Sequence, residues 1–113
     1  MSYKKVFLIR DNQSGDGEIG KRILKNLLLE IAKSSNDNEC FVFVNEAANM
    51  SVRMEYIDLI EELQKANTRG VKIMTCKYSL EHLGLESALK VGTKASFALM
   101  GKTIHDAQEV ITL

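Results

Sequence analysis

"IMTCKYSLEHLGL", residues 73–85, carries an apolar run up to a thiol, Cys76, and then passes at once into a cation, a hydroxyl and helix-forming residues closed by Gly84. With Val71 and Lys72 in front, "VKIMTC" has strand length, and "SLEHL" reads as a short helix. A strand that turns directly into a helix is half of a βαβ unit, so the fold depends on whether the pattern repeats.

It repeats along the whole chain. "KKVFLIR" is a first strand, followed by the Gly- and Asp-bearing loop "DNQSGDG". From Glu18, Ile19, Ile23, Leu24, Leu27, Leu28 and Ile31 recur at three- and four-residue steps, an amphipathic helix that ends in "SSNDN". "CFVFVN" is continuously apolar, as expected of a strand covered on both faces. Ser51 reads as the N-cap of a second helix running to Asn67, with Val52, Tyr56, Leu59, Ile60 and Leu63 on one side and Gly70 closing it. After the third strand and the short helix, "VGTKAS" reads as a fourth strand, "FALMGKTIHDA" as a last helix and "EVITL" as a terminal strand. The pattern predicts an α/β protein with a parallel sheet, formed by one domain of 113 residues.

Composition narrows the function. With 45% hydrophobic and 27% charged residues the chain can bury a core. Lys plus Arg and Asp plus Glu balance at 15 each, so no net field attracts nucleic acid or an acidic membrane, and neither is expected as a partner. "MSYKKVFLIR" lacks the apolar core of a signal peptide and no stretch is long enough to span a bilayer, which predicts a cytoplasmic protein. Two cysteines, Cys40 and Cys76, are too few for a disulfide framework and are expected as thiols. Near-zero net charge and a small core favour self-association.

In an open parallel sheet, ligands bind beyond the carboxyl ends of the strands. That rule gathers residues 11–17, 45–49, 76–79 and 94–96 on one rim. Cys76 then faces a helix N-terminus, with Lys77 beside it, and both favour thiolate. The competing reading is that Cys76 only packs, since free cysteine is among the most buried residue types. Cys40 opens a buried strand far from the rim and reads as structural. Gly15, Gly20 and Lys21 match part of a phosphate-binding loop, but Arg22 stands where a Ser or Thr should hold magnesium, and Asp16 and Glu18 set carboxylates against a phosphate. The simpler reading is that Gly15 and Gly17 make the turn while Asp16 caps the helix. His82 is either a base near Cys76 or solvated, and His105 either caps the last helix or is exposed. Cys76 and His82 alone do not make a metal site, and no cofactor is implied. Met50, Met54, Met74 and Met100 read as core or interface filling.

Taken in order, the opening strand, "SGDGEIGKRILKNLL", "RGVKIMTCKYSLEHLGL", the following "VGT" and the closing "AQEVITL" resemble the DsrE/DsrF-like family over nearly the full length. The resemblance implies a three-layer α/β/α sandwich with a mostly parallel five-stranded sheet and assembly into homo- or hetero-oligomers. It also implies a strand-end cysteine that, in the sulfur-relay members, carries sulfur as a persulfide between donor and acceptor proteins. Cys76 falls on that cysteine. Some relatives carry a second cysteine three residues on, where this chain has Ser79, so an internal disulfide there is impossible and a dithiol redox role is disfavoured. The resulting expectation is a single-thiol carrier, or sulfurtransferase, in which Lys77 and Ser79 support the Cys76 thiolate. The loops with Asp11, Gly15, Asp16, Gly17 and Asn45 shape a docking rim around it. The alternative is a non-catalytic oligomeric protein that binds a small ligand or a partner on the same rim, or a purely structural subunit.

Overall fold

The computed structural model describes residues 2–113. The elements run β1 (Lys5–Ile9), α1 (Gly17–Ser34), β2 (Glu39–Phe43), a 3₁₀ turn (Asn45–Ser51) and a second (Met54–Tyr56), α2 (Ile57–Thr68), β3 (Lys72–Cys76), α3 (Lys77–His82), β4 (Thr93–Ala95), α4 (Phe97–Asp106) and β5 (Glu109–Thr112). The five strands form one sheet in the order β4-β3-β2-β1-β5, every pair parallel. From β1 to β4 the chain advances in one direction, then crosses back over the whole sheet to lay β5 beside β1.

Strand alternation sorts the core into two layers. Phe7, Ile9, Phe41, Phe43 and Ile73 face one side and pack with Leu24, Leu28 and Ala32 of α1 and Leu59, Ile60, Leu63 and Ala66 of α2. Val6, Cys40, Val42, Met74 and Cys76 face the other side, where Met100 and Ile104 of α4 pack against them. Two long helices therefore cover one face and a single ten-residue helix covers the other. The result is an α/β/α sandwich whose second helical layer is thin.

Local details differ from expectation in three places. Ser51 does not cap α2, which begins at Ile57. It is buried at the end of the first 3₁₀ turn, where its hydroxyl lies 2.9 Å from that of Thr75 and donates to the Ala48 carbonyl at 3.0 Å. A buried hydroxyl must be paired, and this pairing outweighs the capping preference. On α1 the buried stripe is Gly20, Leu24, Leu28 and Ala32, while Ile19, Ile23 and Leu27 stand exposed on the adjoining stripe. Met50, Met74 and Met100 are buried as core residues, while Met54 is 63% exposed, which leaves it only the interface half of the expectation.

Gly20 shows why the first loop needs glycine: a Cβ there would collide with the carbonyl of Gly15. The loop thus folds down onto the first turn of α1. Asp16 occupies the N-cap position but makes no side-chain cap hydrogen bond, and Lys21 pairs with Glu18 at 3.8 Å.

Candidate functional site

Cys76 is the last residue of β3 and the N-cap of α3 at once. No loop intervenes, so the helix starts on the thiol itself, and Cys76 Sγ accepts the backbone N–H of Ser79 at 3.4 Å. The sulfur is thereby oriented by a backbone donor in the first turn of the helix. The side chain is only 3% exposed.

Its neighbours come from the adjacent strand end. The Ser79 hydroxyl, 9% exposed, accepts the backbone N–H of Asn45 at 2.8 Å. Asn45 follows β2 and holds φ at 55°, a left-handed conformation that asparagine tolerates better than most residues. The β2 exit and the β3–α3 junction are thereby joined through one hydroxyl.

Over this junction lies a cavity of about 490 Å³. Cys76 and Ser79 line it together with Leu8, Val42, Val44 and Leu83, and α4 contributes Phe97, Met100, Gly101 and Ile104 from one face. The thin layer explains it: α4 alone does not reach across the ends of β1, β2 and β3. Arg10, Asn45, Tyr78 and His82 also border the cavity, and Tyr78 and Phe97, both more than half exposed, approach with ring centroids 5.6 Å apart. A concave, largely apolar space with a few convergent polar groups is the usual form of a small-molecule site.

Of the residues singled out in the sequence, Cys76, Ser79, His82 and Asn45 meet at this cavity. Lys77 lies outside its lining, exposed in an adjoining cleft that shares Tyr78 and Phe97 with the cavity and is completed by Glu81, Ala95 and Ser96. Asp11, Gly15, Asp16 and Gly17 share the sheet edge but do not line the cavity either. Asp11 instead accepts the N–H of Asn12 at 2.7 Å. Arg10 and Gly101 are cavity residues that sequence reading passed over. The signal for Gly101 was available, because a glycine inside a helix is costly and calls for a reason.

Cys40 is a different kind of thiol. It is fully buried at the start of β2, its Sγ donates weakly to the Phe41 carbonyl at 3.7 Å, and burial pushes its pKa up to about 12 despite the opposing pull of Lys72. It stays protonated at neutral pH. Among the described residues no group of three or more His, Cys, Asp or Glu side chains is placed to hold a metal ion, and no helix is long and apolar enough to cross a membrane.

Fold and site together define a parallel α/β sandwich with a thiol at a strand-to-helix junction, under an apolar cavity. The solved structure of the ychN protein from E. coli shares this architecture with a TM-score of 0.72 over 98% of this chain and 99% of that one, at 16% sequence identity. A conserved protein of unknown function from Bacteroides thetaiotaomicron matches with a TM-score of 0.70 at 13% identity, covering 97% of this chain and 95% of that one. The chain therefore has a YchN-like, DsrE-like fold. No protein-family model matches it, and no curated protein does.

Proposed function

We propose that the protein is a sulfur carrier in which Cys76 holds sulfane sulfur as a persulfide and yields it to a cysteine of a partner. The observation that carries this reading is the position of the thiol: it caps α3, accepts the Ser79 N–H at 3.4 Å and opens onto a cavity, whereas Cys40 is sealed in the core. The chemistry is thiol exchange. The Cys76 thiolate attacks the outer sulfur of a donor persulfide, the donor's S–S bond breaks, and its electron pair leaves on the donor thiolate. The DsrE-like fold supports the reading, because the resemblance in sequence points to relay members with a cysteine at this strand end. With Ser79 three residues on, no second thiol adjoins Cys76 to discharge the persulfide as a disulfide, which suits a carrier. A reducing compartment, the cytoplasm, keeps both thiols free for this role. The carrier works as a homo-oligomer, assembled through the exposed Ile19, Ile23 and Leu27 stripe of α1.

The test is release of the cargo. Protein exposed to inorganic polysulfide and then desalted should yield thiocyanate when cyanide is added. Cys76→Ser should yield none and Cys40→Ser as much as the parent, and equal release from Cys76→Ser rejects the assignment.

A further inference from the structure

The donor that loads Cys76 has its own geometric requirement. Gly101 stands in the middle of α4, on the same face as Phe97, Met100 and Ile104, all of which line the cavity. A Cβ at Gly101 would meet nothing within 4 Å, so neither close packing nor backbone geometry calls for glycine there. A glycine inside a helix is unfavourable relative to alanine, and what its missing side chain leaves here is open space beside the cavity. At the other end, two of the polar groups that line the cavity have a proton to give. The proton of the Ser79 hydroxyl, whose oxygen is occupied by the Asn45 N–H, finds no acceptor among the described residues, and the Cys76 thiol likewise donates to none. The remaining walls are Leu8, Val42, Val44 and Leu83, with Arg10, Asn45, Tyr78 and His82 at the border.

We infer that the cavity admits a small organic hydropersulfide with an apolar body, which enters along Gly101 and sets its outer sulfur on Cys76. This rests on the carrier reading above and narrows its donor to a low-molecular-weight compound. A hydrocarbon group of benzyl size fits about 490 Å³ and desolvates against the aliphatic walls, while the free Ser79 hydroxyl proton lies in reach of the sulfur that leaves. The exchange balances without another reagent. R–S–SH and Cys76–SH become R–SH and Cys76–S–SH: one S–S bond forms as another breaks, and the proton lost by Cys76 ends on the departing sulfur. The concavity of the site and the buried donors at its floor favour a small ligand over a flat surface of a second copy.

Loading rates measured by intact-mass spectrometry test this with two probes of similar persulfide chemistry, benzyl hydropersulfide and its hydroxyethyl counterpart, each normalised to its rate with free cysteine. The benzyl compound should load Cys76 about tenfold faster or more, the range that added apolar groups bring to a fitting pocket. Gly101→Leu, which projects into the open space, should remove most of that advantage. Phe97→Ala should lower it severalfold, and because the Phe97 ring is 68% exposed this variant keeps the fold if the first does not. Equal normalised rates for the two probes overturn the inference and leave the carrier reading standing. No loading from either probe, nor from polysulfide, overturns both. A changed oligomeric state in Gly101→Leu by light scattering, with the benzyl advantage intact, assigns the space to a second copy and also overturns the inference.

Discussion

The Ser79 hydroxyl accepts the backbone N–H of Asn45 at 2.8 Å, a bond that ties the turn after β2 to the helix that begins on Cys76. The two residues lie 34 positions apart. At the strand-end rim this side-chain bond adds to the Val44 N–H donated to the Ile9 carbonyl at 3.0 Å and to the Ser51–Thr75 hydroxyl pair at 2.9 Å.

Removing that hydroxyl should therefore loosen the rim. Ser79→Ala leaves the Asn45 N–H without its partner, which costs about 1–3 kcal/mol. Urea unfolding should show the loss. At Asn45 itself, with φ at 55°, a valine should cost roughly 1–2 kcal/mol and a glycine little or nothing. Equal stability of the two Asn45 variants would mean that the left-handed turn is not kept in solution.

Two glycines outside the first loop should respond oppositely to alanine. A Cβ at Gly92 would strike the Ile73 carbonyl, and its φ of 73° is already unfavourable for other residues, so Gly92→Ala should be strongly destabilising. Gly101 sits in helical backbone facing open space, so Gly101→Ala should stabilise by about 0.5–1 kcal/mol. Paired thermal melts decide this, and a destabilised Gly101→Ala would contradict the open space described beside it.

Cys40 links stability to alkaline pH. Burial raises its pKa in the folded protein to about 12, from an ordinary value of 9.0, so the unfolded chain loses this proton before the folded one does. The contribution is complete below pH 9.0 and is lost as pH rises toward about 12, at about 1.4 kcal/mol per pH unit. In Cys40→Ala this loss is absent. The stability gap between parent and variant should accordingly narrow from pH 9 to pH 11 in denaturant titrations, and a constant gap would mean that the thiol is accessible.

The exposed stripe of α1 gives a test of assembly. Ile19 at 71%, Leu27 at 48% and Ile23 at 44% exposure form one apolar row between charged residues. Ile23→Lys should lower the mass measured by light scattering without lowering the melting temperature of the isolated subunit. An unchanged mass would mean that this stripe does not mediate assembly.

Much of the architecture was legible because each strand is a compact apolar run and each connection carries its own period. β3 and α3 were found from "VKIMTC" and "SLEHL" alone, since a parallel strand buried on both faces has no polar alternation to obscure it. The α1 face was less legible: two adjoining stripes are both apolar, and periodicity does not say which one meets the sheet. Ser51 misled because its partner, Thr75, is 24 residues away and local capping rules do not include it. At the site, Cys76 followed from its place at a strand end. The cavity did not, because it exists only where α4 crosses back over the sheet, and strand order is not written in any local pattern. Nor does the sequence tell that Lys77, next to the thiol along the chain, lines the adjoining cleft and not the cavity.

The central claim is that Cys76 alone takes up sulfane sulfur. The most direct measurement is intact-mass spectrometry after brief exposure to inorganic polysulfide, on the parent protein beside Cys76→Ser and Cys40→Ser. The account predicts a sulfur adduct on the parent and on Cys40→Ser, and none on Cys76→Ser. An adduct that persists in Cys76→Ser, or its absence from the parent, would contradict it.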